Sequence, residues 1–309
     1  MDRKAVARET LEIMHKGYYE CEGKRIEIKA SMERSVRDSL LITPEQGARL
    51  LEREARQSEQ ESQELTQEVR QSGQESQELT QEARQSGQES QELTQKAQQS
   101  AQQFQAGEQH GSGKSTIESG HTCSVTVANI STVDAIRRLY QEGKREIGVL
   151  NFASAKNPGG GFLNGAMAQE ESLAASGTLY KTLTAHEEYY RANRAQRSMI
   201  YTDHAIYSPQ VLFFRDGQFR LTKDPVEASV LTLPAVNMGQ VIQKGEDRQQ
   251  AHQAMRRRME LALAIFASQG ARHLVLGAYG CGVFRNDPAQ VALWWKELLE
   301  EGWGRRFDS

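Results

Sequence analysis

Strands alternating with helices from residue 121 onward predict a three-layer α/β domain with a mainly parallel sheet. Two observations carry this. Apolar, β-rich runs at 146–152, 229–236 and 273–278 are separated by stretches with helical spacing. Glycine-rich loops directly follow two of those runs, at 157–165 and 277–284, and ligands of this fold class sit at the carboxyl ends of the strands.

Taken in chain order, Val125 to Ile130 reads as a strand, and Ser131 or Thr132 can cap a helix through Tyr140, with Gly143 beyond its end. The strand at 146–152 and the first glycine loop come next, then helical stretches from Gln169 to about Arg194. Short strands are expected near Met199 to Tyr201 and Val211 to Phe214, with Asp216-Gly217 as a turn. Ser229 to Val236 is a further strand, Asp247 to Gln269 a long helix, and His273 to Ala278 another strand. A last helix runs from Pro288 to Glu300, with the proline in its first turn.

The stretch before residue 121 has a different composition. Of the 309 residues, with a net charge of −3, the segment 45–120 holds 14 Asp/Glu and 7 Lys/Arg, a net of −7, so the remainder carries −3 + 7 = +4. That mild basicity suits an anionic ligand and lacks the basic stripe of a dedicated nucleic-acid-binding surface. Within 57–98 a 14-residue unit repeats three times: QSEQESQELTQEVR, QSGQESQELTQEAR and QSGQESQELTQKAQ. With Leu65, Leu79 and Leu93 at d, Val69, Ala83 and Ala97 fall at a. Alternate seam places fall on serines such as Ser72 and Ser76, so half the seam is polar, and the segment reads as a solvated, partly helical insertion. Gly111 to Thr116 imitates the end of a phosphate-binding P-loop, but Glu108 stands where the first glycine belongs and no apolar strand precedes it.

Cys21, Cys123 and Cys281 show neither paired spacing nor a His/Cys cluster, and His186, His204 and His273 lack ligand spacing, so neither a disulfide framework nor a metal site is expected. Charges fill the first nine residues and no stretch approaches the ~18 apolar residues of a membrane span. A cytoplasmic protein without membrane association is expected.

Residues 157–171 carry the chemistry: Asn157-Pro158-Gly159-Gly160-Gly161, seven further residues, then Gln169-Glu170-Glu171. Glycines let a ligand approach the main chain, whose free N–H groups can donate to anionic oxygens. The paired acids open a helix, where successive side chains diverge by about 100°, so one orients and the other reacts. The helix amino end favours their ionised forms. Tyr189, Tyr190, Trp294 and Trp295 read as packing residues.

This glycine triplet, spacer and Gln-Glu-Glu resemble the signature of the bacterial-type poly(ADP-ribose) glycohydrolases of the macrodomain fold. The resemblance extends over residues 1–44, over Val149 to Pro158, over Tyr201-Thr202-Asp203 and Tyr207-Ser208-Pro209, and over Gly277 to Pro288. It implies a macrodomain-like α/β/α fold with a mixed, mainly parallel sheet and an amino-terminal helical segment. On this basis residues 1–44 form part of the catalytic domain, 45–120 are the repeat-bearing insertion and linker, and 121–309 are the catalytic core. The insertion has no counterpart in the family pattern, and the chain stops at Phe307-Asp308-Ser309, where relatives usually continue into a last apolar strand.

The resemblance also implies roles. Glu171 takes the catalytic position, donating a proton to the leaving hydroxyl and then accepting one from water. Glu170 and Asn157 hold the hydroxyls of the terminal ribose, and Gly159, Gly160, Gly161 and Gln169 complete the first ligand loop. Gly280, Cys281, Gly282 and Val283 form the diphosphate loop, with Phe284 against the distal ribose. Cys281 has no activating histidine nearby, so its main chain rather than its thiol is the expected contributor. Poly(ADP-ribose) or ADP-ribosylated macromolecules would be the substrate, trimmed from chain ends, with no cofactor. Two alternatives stay open: a module that binds ADP-ribose without turnover, which would not need the paired acids, and a hydrolase of ADP-ribose linked to a protein side chain or a nucleic-acid base.

Overall fold

A computed structural model describes residues 2–57, 60 and 123–309. Residues 1–53 and 121–309 form one compact unit and 54–120 a second. The repeats at 57–98, apart from residues 57 and 60, and the 111–116 loop lie outside the described residues.

The amino-terminal segment opens with helix α1 (Arg3–Lys16), capped by Asp2, whose carboxylate accepts from the Lys4 and Ala5 N–H groups. It is not wholly helical. A hairpin of β1 (Tyr18–Cys21) and β2 (Lys24–Glu27) follows, then α2 (Lys29–Arg37) and β3 (Leu40–Ile42), which pairs antiparallel with β5 of the main sheet. A further helix, α3, covers residues 44–57. Its start is a capping box: the Gln46 N–H donates to Thr43 Oγ1 at 3.3 Å and the Thr43 N–H to Gln46 Oε1 at 2.8 Å. Leu50 and Leu51 pack on the main core, so residues 45–53 belong with the first unit.

The second segment supplies α4 (Thr132–Gln141), β4 (Ile147–Ala153), a short 3-10 turn (Phe162–Asn164), α5 (Gln169–Ser176), α6 (Leu179–Thr184) and α7 (Glu187–Ala195). Then come β5 (Ala205–Arg215), β6 (Leu221–Pro234), α8 (Met238–Lys244), α9 (Arg248–Ser268), β7 (His273–Val275) and α10 (Pro288–Glu300). The main sheet has the order β3-β5-β6-β4-β7. It is mixed. Its β6-β4-β7 half is parallel, and β5 runs antiparallel to β6 because a tight turn at 216–220 joins them directly.

Two expected strands are absent from this sheet. Val125 to Ile130 is not a strand: beyond Ser124, whose N–H donates to the Asp308 carbonyl, the segment finds no ladder partner among the described residues. Residues 199–201 are not a strand either, with Tyr201 at φ 62° breaking extension. Along the outer edge of β7 lie the last residues, with the Leu274 N–H donating to the Ser309 carbonyl at 2.7 Å and the Asp308 N–H to the Arg272 carbonyl at 2.8 Å.

Strand alternation splits the core into two layers. Leu150, Leu231 and Leu233 face α8, α9 and α10, while Ile147, Val149 and Val230 face α4, α5, α6 and α7. On that second face Asn151 and Thr232 continue the alternation, directly paired across the ladder. Helix α1 closes over α5 through Val6, Ala7, Phe162, Ala174 and Ala175, and Thr10 Oγ1 donates to the Ala175 carbonyl at 2.7 Å. Helix α5 is thereby held between β4 and α1.

Candidate active site

A crevice of about 790 Å³ opens at the carboxyl end of β4, between the two glycine loops. Its walls bring together Asn157, Gly160, Gly161, Gln169, Glu170 and Glu171 from one side, and Gly280, Gly282, Val283 and Phe284 from the other. Gly159 and Cys281 stand just behind these walls. Gly159 packs on Tyr180 and Ala174, and the Cys281 thiol points to the Tyr279 carbonyl at 3.6 Å. Burial and the Asp287 carboxylate both raise the Cys281 pKa, which keeps the thiol protonated and a poor nucleophile.

The two acids have different surroundings although they are neighbours. Glu170 is 2% exposed. Its Oε1 accepts from Asn151 Nδ2 at 3.2 Å and its Oε2 from the Ser154 N–H at 2.7 Å. Burial pushes its carboxyl up to about 8, with Glu171 adding to the rise and the Ser154 and Asn151 bonds opposing it. At Glu170 burial therefore works against the ionised form that the helix amino end favours. Glu171 is only partly buried. Its Oε1 accepts from the Gly161 N–H at 2.9 Å, and its Oε2 has no partner among the described residues. One oxygen is anchored and the other is unpaired, on a residue that lines the crevice.

Gly160 makes this arrangement possible. A Cβ there would lie 2.4 Å from Glu171 Oε1 and 3.1 Å from Glu170 Oε2, and its φ of +60° is a conformation that side-chain-bearing residues seldom adopt. In the second loop Gly280, at φ +71°, lies where a Cβ would be 2.5 Å from the Ala235 side chain. Gln169 lines the crevice yet commits both ends of its amide to β4: Oε1 accepts from the Phe152 N–H at 2.8 Å and Nε2 donates to the Leu150 carbonyl at 2.8 Å. It pins the first turn of α5 to the strand. The Asn157 side chain makes no hydrogen bond among the described residues and is free for a ligand.

Phe284 is backed by Tyr201, with ring centroids 6.0 Å apart. The Tyr201 segment is tied down by Arg258, 1% exposed, which donates to the Ile200 carbonyl at 2.9 Å, the Pro234 carbonyl at 2.8 Å and Asp203 Oδ1 at 2.8 Å. Sequence reasoning missed Asn151 and Ser154 as partners of Glu170, and Phe152, Tyr180 and Ala278 as crevice walls. A signal existed for one of them. Asn151 is the only polar side chain in the run from Ile147 to Ala153, and a buried polar residue in an apolar strand is informative.

Among the described residues no group of three or more His, Cys, Asp and Glu side chains is placed to hold a metal ion, and no helix is long and apolar enough to cross a membrane. No curated protein sequence matches the chain. Solved structures do. The poly(ADP-ribose) glycohydrolase of Thermomonospora curvata is 34% identical, with 99% of this chain and 90% of that one covered and a TM-score of 0.74. The same enzyme bound to the inhibitor ADP-HPD matches at 33% identity over 96% of this chain and 86% of that one, with a TM-score of 0.70. The Deinococcus radiodurans enzyme in complex with ADP-ribose is 34% identical over 92% of this chain and 89% of that one, with a TM-score of 0.65. The model of the microbial-type PARG catalytic domain matches residues 7–216. With that match on a chain whose two glycine loops and paired glutamates meet in one crevice, the protein belongs to the microbial-type poly(ADP-ribose) glycohydrolase family.

Proposed function

We propose that the protein hydrolyses the ribose–ribose O-glycosidic bond of poly(ADP-ribose) and releases ADP-ribose. The observation that carries this is Glu171, which lines a crevice flanked by two glycine loops with one carboxylate oxygen held by the Gly161 N–H and the other unpaired among the described residues. The anomeric C–O bond breaks as the leaving oxygen takes a proton from Glu171. Water then adds to the anomeric carbon and returns a proton to Glu171. Glu170 and Asn157 hold the terminal ribose hydroxyls, fixing the anomeric carbon beside Glu171. Gly280, Gly282 and the Cys281 main chain cradle the diphosphate, and Phe284 meets the distal ribose.

The reading includes removal of units from chain ends and a cytoplasmic location. The latter is supported by three cysteines that are all free. Auto-modified poly(ADP-ribose) polymerase mixed with the protein should release ADP-ribose. Glu171→Gln should lower release by about 10²–10⁴-fold, the usual worth of a general acid–base, while keeping ADP-ribose affinity. Binding by both proteins with release by neither would leave a reader of ADP-ribose, or a hydrolase of a different ADP-ribosyl linkage.

A further inference from the structure

Asn151 stands where a valine or leucine would fill the same space. It is fully buried on β4, on the face that meets α5, and Thr232 is its ladder partner on β6. Its Nδ2 donates both to Glu170 Oε1, at 3.2 Å, and to Thr232 Oγ1, at 3.1 Å, while its Oδ1 has no partner. A buried acceptor left unpaired is costly to a fold, so packing alone does not account for an asparagine here. What the amide gains is a hold on Glu170. With the Ser154 N–H on Oε2 and the Asn151 amide on Oε1, the carboxyl is gripped at both oxygens and cannot rotate.

The convergence of two bonds on one nitrogen has a further meaning. As drawn, the amide only donates, which suits an ionised Glu170. A protonated Glu170 must donate somewhere, and the Ser154 N–H cannot accept. Turning the amide over brings Oδ1 to the place of Nδ2, where it accepts from the Glu170 O–H and the Thr232 hydroxyl together. A carboxamide can serve both states because its donor and acceptor ends are nearly the same size. The titratable groups around Glu170 are Glu171 on its own helix and Tyr189 and Tyr190 on α7. From β4, the residue that follows it and β6 come the neutral Asn151, Ser154 and Thr232.

We propose that Asn151 is a positioning residue for ribose recognition, whose carboxamide fixes the Glu170 carboxyl from beneath and turns over with its protonation so that Glu170 keeps one orientation toward the ligand. The inference rests on the placement of Glu170 against the terminal ribose. In each state one end of the amide is unpaired, Oδ1 when Glu170 is ionised and Nδ2 when it is protonated.

The test compares Asn151→Leu, Asn151→Asp and Thr232→Val with the wild type in the full chain, measuring ADP-ribose Kd from pH 5 to 9 together with Tm. Asn151→Leu should raise Kd about tenfold, near 1.4 kcal/mol, and change the shape of the pH profile. Asn151→Asp should bind like the wild type in acid, where the two carboxyls share one proton, and lose affinity as the pH rises and both ionise. Thr232→Val keeps the bond to Glu170 and should retain the wild-type profile. A lower Tm in Asn151→Leu with Kd and its pH profile unmoved would overturn the proposal. So would an Asn151→Asp variant whose affinity tracks the wild type at every pH, an outcome readable even where the leucine variant does not fold. Glu170→Ala run alongside separates the two levels. Unchanged ADP-ribose affinity there defeats the placement of Glu170 itself, whereas lost affinity there with unaffected Asn151 variants defeats only the positioning role.

Discussion

Replacing Glu170 by glutamine should remove a large pH-dependent component of stability. The perturbation exchanges a buried titrating carboxyl for a neutral amide of nearly the same size. In the folded chain the carboxyl is pushed up to about 8 from an ordinary value of 4.5. Three to four units at about 1.4 kcal/mol each give about 5 kcal/mol as an upper bound. The sign follows from proton binding. The folded state holds this proton more tightly than the unfolded state, so the contribution is fully present below pH 4.5, falls as the pH rises and is gone above about 8. Urea unfolding followed by the fluorescence of Trp294, Trp295 and Trp303 at pH 5 and pH 8.5 measures it. Between those two values the wild type should lose several kcal/mol more than Glu170→Gln, roughly 4 at the linkage slope. Histidines and surface carboxylates titrate in both proteins and cancel in the difference. Parallel stability curves for the two proteins would refute the claim that burial governs Glu170.

Other changes test other parts of the site. Gly160→Ala should cost about 10²-fold or more in kcat/KM, since its Cβ would displace the Glu171 carboxylate it approaches within 2.4 Å; steady-state release of ADP-ribose reads it. Arg258→Met leaves Asp203 with Arg257 alone and the Ile200 and Pro234 carbonyls without this donor, and should lower unfolding free energy by about 1–3 kcal/mol, seen as a drop in Tm that bound ADP-ribose partly restores. Cys281→Ser should leave kcat unchanged, and the wild-type thiol, raised by burial and by Asp287, should alkylate more slowly than free cysteine at neutral pH.

Much of the architecture was legible because the signals are local. The cap at Ser131, the Asp247 start of α9 and Pro288 in the first turn of α10 each announce a helix through a bond made within a few residues. The glycine triplet and the Glu pair were readable for the same reason. The absent strand at 125–130 shows the limit: Val125-Thr126-Val127 has strand composition, yet a strand exists only where a neighbour accepts its ladder, and none among the described residues does beyond the Ser124 bond. The β3 edge strand failed in the opposite direction, since three residues carry too little pattern to be seen until β5 pairs with them.

Local pattern alone singled out the residue types proposed to meet the ligand: glycines for close approach, an acid pair at a helix start, and a second glycine loop more than a hundred residues later. The difference between the two acids arises from packing. Glu170 and Glu171 are chemically identical and adjacent, so composition and spacing cannot rank them. The sheet face beneath α5 does so by burying one carboxyl on Asn151 and Ser154 and leaving the other partly exposed at the crevice wall with one oxygen unpaired among the described residues. Ionisation depends on solvent exclusion and on partners brought from β4 and β6, and those are properties of the packed fold rather than of any stretch of chain.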